Sequence, residues 1–526
     1  MCGIFGSINN NAIRDTYEGL SRLEYRGYDS FGYAAYRDDA AFRDENCRVF
    51  RGIGTLRPWH TDTQTSAVIG HVRWATNGKV TTNNAHPQSH GGIHVVHNGV
   101  IENAPPDMLD TKWLAELISQ RGLTETLSAI DGDNSFVFID SSDGKIWCAA
   151  KGSKRLFVTP NGYVSSDINA LSGFSTEAWV ISNNICDLSC GLSAGVERVP
   201  VPPLTQSESS HDGHKMLKEI GEQSQLESTI WPTVERDLDI IATGSSLHAA
   251  MFGAYALEGQ GLGGIRCLHA SQAKYRSLRD NILAISQSGE TKDVINALGG
   301  KDFSCITNNP HSTLADMSSG CVEMGTGPEI AVAATKTFTS SCMKLCQSAG
   351  IKLPDGWQSH ALSILLRSDE IKEIARSIMG YEHFLFLGDR HNYPIALEGA
   401  LKFKEVAYVH AEGMPASEMK HGPIALVDHR VPSLFIVSEG FSKETMTNIQ
   451  EIKSRRGFVV VITHNSIEEE FIGEGVDIVF SCGDTGEKYS QSLVLNFVLQ
   501  LLSYYVAVNR GINPDRPRNL AKCVTV

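Results

Sequence analysis

Cys2 follows the initiator methionine in Met1-Cys2-Gly3-Ile4-Phe5-Gly6. Once Met1 is removed, this one residue carries a nucleophilic thiol and a free α-amine. A nucleophile inside a chain needs a neighbouring base, whereas an N-terminal one brings its own. An α-amine titrates at about 7.7–8.0 and so accepts a proton near neutral pH. The competing reading is a small residue in a frayed terminus. Two downstream clusters favour chemistry. Arg73-Trp74-Ala75-Thr76-Asn77-Gly78 follows an apolar strand, where Arg73 can hold a carboxylate. His97-Asn98-Gly99 follows another, and the Asn98 amide with a backbone N–H can form an oxyanion hole for attack by Cys2. The alternative there is an ordinary Asn-Gly turn.

A second set lies further on. Ser286-Gln287-Ser288-Gly289-Glu290-Thr291 separates the apolar run 282–285 from a helical pattern over 292–298. Hydroxyls and free backbone N–H groups converging there suit a phosphate; helix capping by Ser288 with Thr291 or Glu290 nearby is the plainer alternative. Ser245 and Ser246 end the preceding strand, and ligands of open α/β sheets gather at such carboxyl ends. A helix over 396–410, with Pro394 near its start, puts Lys402 and Glu405 on one face, the spacing of many surface ion pairs. Lys420-His421-Gly422-Pro423 and Arg518-Asn519-Leu520-Ala521-Lys522 add titratable groups in non-repetitive settings.

The elements that must position these residues divide in two. Short β-like runs at 67–70, 93–96 and 135–139 precede a Pro- and Ser-rich stretch at 199–214 that reads as a linker. Beyond it, short apolar strands alternate with helical patterns, the texture of parallel α/β sheets. Four strand candidates recur in one order: 239–244, 281–286, 304–307 and 321–324 match 384–388, 433–438, 459–463 and 477–480. This predicts two related subdomains. The copies differ after the second strand, where Ser-Gln-Ser-Gly-Glu-Thr is answered only by Val437-Ser438-Glu439-Gly440.

With 60 acidic against 46 basic residues and a net charge of -14, the chain is unsuited to general nucleic-acid binding. No basic n-region with an apolar run opens it, and the apolar stretch 493–508 is short for a membrane span and reads as a buried helix. Twelve cysteines show neither a disulfide framework nor zinc spacing, which fits a reducing cytosol. The expectations are therefore a cytoplasmic location, no metal, and neither a nucleic-acid nor a membrane partner.

Taken together, Cys2-Gly3-Ile4-Phe5-Gly6, Tyr25-Arg26-Gly27-Tyr28-Asp29-Ser30, Gly70-His71-Val72-Arg73-Trp74-Ala75-Thr76 and His97-Asn98-Gly99-Val100-Ile101-Glu102-Asn103 resemble a class II glutamine amidotransferase domain. The Ser286–Thr291 loop resembles tandem sugar-isomerase (SIS) domains. Adding 396–402, 418–423 and 517–522, the whole chain resembles the glucosamine-6-phosphate synthase family. That resemblance implies an α+β N-terminal nucleophile (Ntn) four-layer αββα domain at 1–198 and a linker at 199–225. Two α/β SIS subdomains with parallel sheets follow at 226–370 and 371–526, the second ending in a catalytic tail.

It also implies roles. Cys2 attacks the side-chain amide of L-glutamine, and Asn98 and Gly99 stabilise the oxyanion. Arg73, Trp74, Thr76 and Asp110 bind glutamine, with Trp74 gating an ammonia channel. Ser245, Ser246, Ser286, Gln287, Ser288 and Thr291 hold the phosphate of D-fructose 6-phosphate. His421 assists ring opening, Lys522 forms a Schiff base at C2, Glu405 moves a proton between C1 and C2, and Lys402 assists. No cofactor is required, and a homodimer or higher homo-oligomer is expected, with His421 acting across subunits.

Departures from the family pattern are Asn77 in place of a histidine, Ala334 in place of a serine near the sugar, and a short 103–110 segment. They leave feedback control and the glutamine-site lid open. Two other readings stand beside this one. One is an amidotransferase on another ketose phosphate; the other is a catalytically decoupled sugar-phosphate sensor.

Overall fold

The computed structural model describes residues 2–37, 46–59, 65–75, 78–189, 196–203, 213–226, 236–351, 356–439, 443–473 and 475–523. The chain forms two compact units, Met1–His211 with Ala521–Val526, and Asp212–Leu520.

The first unit is built on two antiparallel sheets. One has eight strands in the order 198–200, 177–181, 156–158, 163–165, 3–8, 67–73, 30–36, 47–53. The other has five, in the order 184–187, 146–151, 134–140, 93–99, 88–90. Ile4, Ala34 and Ile69 of the first sheet share a buried cluster with Val96, Val137 and Cys148 of the second, so the sheets pack face to face. On the outer face of the first sheet, Leu20 and Leu23 of helix Ala12–Leu23 cover Phe5 and Val72. On the other side, Leu114 and Ile118 of helix Asp110–Arg121 cover Val95 and Phe136. The result is a helix–sheet–sheet–helix stack, each strand alternating its apolar side chains between two buried layers.

The second unit contains two five-stranded parallel sheets of identical order. The first runs 266–269, 239–242, 282–285, 304–307, 320–323; the second runs 410–414, 383–388, 433–436, 459–464, 478–482. Each has the 2-1-3-4-5 order of doubly wound folds, whose ligand crevice opens where the order reverses, between the first and third strands. The sequence pattern revealed four strands in each copy and missed the edge strands Arg266–His269 and His410–Met414. The reading of a helix through His410 is corrected for the same reason. The helix is Asn392–Ala407; Tyr408 takes a left-handed conformation (φ 56°), and His410 begins the missed strand. Within the stretch read as linker, Arg198–Pro200 is a strand and Lys215–Glu222 a helix.

The apolar stretch at 493–508 lies in helix Lys488–Asn509, which is long and apolar enough to cross a membrane. The most apolar part of it is 89% buried within the protein, as a core helix is. It packs chiefly against helices Asn392–Ala407 and Ser368–Ile378.

Candidate active sites

In the first unit, strand pairing brings Cys2 and its surroundings together. Cys2 precedes strand Gly3–Ile8, which pairs with Ala67–Arg73. The Cys2 thiol lies 3.5 Å from the Trp74 carbonyl oxygen. The Asn98 amide nitrogen donates to the Cys2 carbonyl oxygen at 3.1 Å. Asn98 and Gly99 close strand Ile93–Gly99, Gly99 pairing with Asn134, so the Asn-Gly turn alternative is excluded. Gly99 holds φ 134°, and a Cβ there would lie 2.3 Å from the Asp133 carbonyl oxygen.

His71 completes this arrangement, and its role was not read from the sequence. Its Nε2 lies 3.2 Å from Asn98 Oδ1 and 3.0 Å from the His97 carbonyl oxygen. Both neighbours are acceptors, so Nε2 carries the proton. That bond fixes which end of the Asn98 amide faces Cys2. Burial, reinforced by the Arg73 charge, pushes His71 down to about 3, so the ring is neutral at physiological pH. The sequence carried the signal: His71 and Arg73 point to the same face of one strand.

Arg73 ends strand Ala67–Arg73 and is buried. The turn after it is held from below. Asp29 accepts the Ala75 N–H at 2.8 Å, and a Cβ on Gly27 would stand 2.4 Å from Trp74 N, so only glycine lets these chains approach. The Tyr28 ring meets Trp74 edge-on at 6.3 Å. Thr76 and Asn77 lie outside the described residues. Asp110 opens helix Asp110–Arg121, buried, 4.0 Å from His97 Nδ1. Its carboxylate accepts the Thr111 N–H at 2.7 Å and the Ile101 N–H at 3.5 Å. Lys522 is half-buried and belongs to this unit.

In the second unit, Ser286–Thr291 emerges from strand Ile282–Ile285, and Ser245 and Ser246 lie in the first turn of helix Gly244–Gly259, after strand Asp239–Ala242. The two segments thus flank the switch point of the first parallel sheet. The loop is internally braced. The Ser286 and Thr291 hydroxyls are 2.9 Å apart, and Gly289 N–H donates to Ser286 Oγ at 3.2 Å. Gln287 is anchored through its carbonyl oxygen, which accepts from Asn308 N–H and the Thr307 hydroxyl. Ser288 accepts the Glu290 N–H within the turn; Thr291 occupies the cap position and makes no side-chain capping bond. The Thr291 hydroxyl therefore does not cap this helix. The Glu290 carboxylate is bound to Thr313 N–H and its hydroxyl.

Ser245 is placed differently from its companions. It donates to Glu398 Oε1 at 2.8 Å and accepts from Lys402 Nζ at 3.2 Å. Glu398, Lys402 and Glu405 sit at i, i+4 and i+7 on helix Asn392–Ala407 and share one face. Lys402 Nζ lies 2.7 Å from Glu405 and 3.2 Å from Glu398, and His248 Nδ1 lies 2.8 Å from the other Glu398 oxygen. Glu398 and Lys402 are 0% and 1% exposed, so the pair is a buried network rather than a surface ion pair.

Burial alone would raise the Glu398 carboxyl. The Lys402 charge, followed by His248 and the Ser245 hydroxyl, overrides it and holds the group at about 2. For Lys402, burial pulls down, but Glu398 and then Glu405 prevail and raise it, so it remains an ammonium. Glu398 and His248 were missed, although the i, i+4 spacing of Glu398 and Lys402 was there to be read. His421 is exposed at the end of the turn Ala416–His421; among the described residues no hydrogen bond or ion pair reaches its side chain.

Comparison with known proteins agrees with both halves. The SIS domain family model matches residues 233–349 and 378–510. Proteins named glutamine–fructose-6-phosphate aminotransferase [isomerizing] align over the full length of both chains, at 33% identity from Methanosarcina acetivorans and 32% from Aquifex aeolicus. The solved C-terminal domain of glucosamine-fructose-6-phosphate aminotransferase from Francisella tularensis matches at 31% identity and a TM-score of 0.54. It covers 60% of this chain and 100% of that one.

Proposed function

The chain belongs to the glutamine–fructose-6-phosphate aminotransferase (isomerizing) family, and from that membership we propose how its own residues divide the work. The reaction converts D-fructose 6-phosphate and L-glutamine to D-glucosamine 6-phosphate and L-glutamate. The glutaminase half, residues 1–198, is an N-terminal nucleophile domain. Cys2, freed of Met1, attacks the glutamine amide while its α-amine takes the thiol proton. Asn98 and Gly99 receive the oxyanion; Arg73 and Asp110 hold the α-carboxylate and α-ammonium groups; Trp74 gates the passage of ammonia.

The observation that carries this reading is the His71–Asn98–Cys2 arrangement. A neutral histidine presents the amide N–H of Asn98 toward the nucleophile's residue, preorganised before any charge develops.

The isomerase half, 226–520 with its two SIS subdomains, takes the sugar phosphate at Ser246, Ser286, Gln287, Ser288 and Thr291. Ser245 links that crevice to the Glu398–Lys402 pair. Lys522 forms the imine at C2, Glu405 carries the proton between C1 and C2, and Lys402, held as an ammonium, supplies fixed positive charge beside it. His421 opens the sugar ring from a partner subunit; its exposed position on the turn Ala416–His421 is compatible with that. A homodimer in the cytoplasm is part of this reading.

Amide-labelled ¹⁵N-glutamine and fructose 6-phosphate test the coupling. Labelled glucosamine 6-phosphate should form and should vanish in Cys2→Ala. Glutamate without amino sugar would overturn the isomerase assignment. For the shared site, mixing His421→Ala with Glu405→Gln subunits should restore about a quarter of wild-type activity. Half the random dimers are mixed, and one of their two sites is then intact. No recovery on mixing would place His421 in its own subunit's site.

A further inference from the structure

Cys305 and Cys321 are register partners on adjacent parallel strands of the first SIS sheet, Ser304–Thr307 and Gly320–Glu323. Parallel partners face the same side of a sheet about 4.8 Å apart, inside the Cα separation of about 4.4–6.8 Å that a disulfide spans. Cys305 is fully buried; Cys321, on the edge strand, is exposed. We propose that Cys305 and Cys321 form a reversible dithiol–disulfide pair, with Cys321 as the cysteine that meets an external oxidant and Cys305 as the one that resolves it.

Three observations bear on this. The two thiols influence each other, which lowers Cys305 and raises Cys321, so of the pair Cys305 gives up its proton more readily. The Cys305 sulfur also lies 3.4 Å from the Ser318 hydroxyl. Finally, the first unit offers a contrast. Cys148 and Cys186 are register partners too, but both are buried, and burial pushes the Cys148 thiol well up. No external disulfide reaches that pair, whereas one reaches Cys321.

The oxidant is a low-molecular-weight disulfide such as oxidised glutathione. The buried Cys305 thiolate takes the proton of Cys321 as the exposed Cys321 sulfur attacks one sulfur of the oxidant, expelling one thiolate. Cys305 then loses its proton and attacks Cys321 Sγ of the mixed disulfide, expelling the second. The two cysteines lose two electrons and two protons, and the oxidant leaves as two thiols. A bridge between parallel neighbours needs the Cβ atoms nearer than the strand spacing leaves them, so it belongs with labile, reducible bridges rather than structural ones.

The full-length chain carrying Cys2→Ala, which removes one further accessible thiol, is treated with oxidised glutathione under native conditions. It is then mapped by non-reducing peptide mass analysis. The expected result is a Cys305–Cys321 linked peptide pair lost on adding dithiothreitol, with Cys148 and Cys186 still reduced. Adding Cys305→Ser should leave a stable glutathione adduct on Cys321, while adding Cys321→Ser should leave Cys305 unmodified. Both changes are nearly isosteric, which limits misfolding. A persistent adduct at Cys321 with both cysteines present, or no reaction at either, would overturn the proposal.

Discussion

The two SIS sheets have the same strand order and the same crevice between their first and third strands, yet the crevices are filled differently. In the first copy, the hydroxyl-rich Ser286–Thr291 loop and Ser246 border the crevice, and the loop is braced mainly from within. In the second, the corresponding place is occupied by a buried side-chain network. His391 Nε2 lies 3.0 Å from Ser438 Oγ, and the Ser438 and Ser492 hydroxyls meet Asn392 Oδ1 at 3.0 and 2.6 Å. Burial pushes His391 down to about 4, so it is a neutral hydrogen-bonding group at physiological pH. Ser492 comes from the core helix Lys488–Asn509, so this second crevice is knitted shut to the core. The scaffold is the same in both copies, and a few polar side chains decide which crevice is bordered by a hydroxyl-rich loop and which is filled. The Glu398–Lys402 network joins them, since Ser245 and His248 belong to the first copy and Glu398, Lys402 and Glu405 to the second.

The sharpest break of this comparison is Glu405→Gln. Removing a positioned acid–base group should lower amino-sugar formation by about 10²–10⁴-fold while glutamine hydrolysis at Cys2 survives; equal loss of both would place Glu405 in a shared structural role. Next is Glu398→Ala, which leaves the buried Lys402 ammonium with Glu405 alone and takes the acceptor from His248 and Ser245. Denaturant unfolding of the second unit should lose about 3–5 kcal/mol, with Glu398→Gln losing less.

A pairwise test follows. Ser246→Ala should weaken fructose 6-phosphate binding by about 1.5–3 kcal/mol with little change in stability, while Ser438→Ala should cost about 1–3 kcal/mol of stability and leave sugar affinity alone. Exchange of those two outcomes would reverse the roles assigned to the crevices.

The smallest effect is the pH response. The Lys402 charge, with His248 and Ser245, holds the Glu398 carboxyl at about 2, below its ordinary 4.5. Its contribution is therefore complete above its unfolded value and is lost as pH falls through the interval between them. Lys402 is raised, so its contribution holds below its ordinary value and fades only in strong alkali. Stability measured from pH 4.5 down to 2 should fall more steeply for the wild type than for Glu398→Gln.

Much of the candidate site was legible because it is local. Cys2, Asn98–Gly99 and the Ser286–Thr291 loop are short runs whose residue types suit a nucleophile, an oxyanion hole and an anion. The alternation of strands and helices gave the parallel sheets and their duplication. The missed edge strands, Arg266–His269 and His410–Met414, lack the apolar run of a central strand; His269 and His410 are exposed. Glu398 was passed over because a charged residue on a helix is usually at the surface, and only packing shows that this one is 0% exposed.

The sequence by itself determined which residue types are available and along which strand or helix face each one points, because backbone periodicity is a local property. The tertiary structure decided what those faces meet. His71 turns the Asn98 amide because two strands, Ala67–Arg73 and Ile93–Gly99, come together across the interior. Glu398 stays ionised in the interior because, besides Lys402 on its own helix, helix Gly244–Gly259 brings His248 and Ser245 against it, about 150 residues away in the chain. Hydrogen bonds and desolvation act over a few ångströms of space, and no pattern along the chain specifies that proximity.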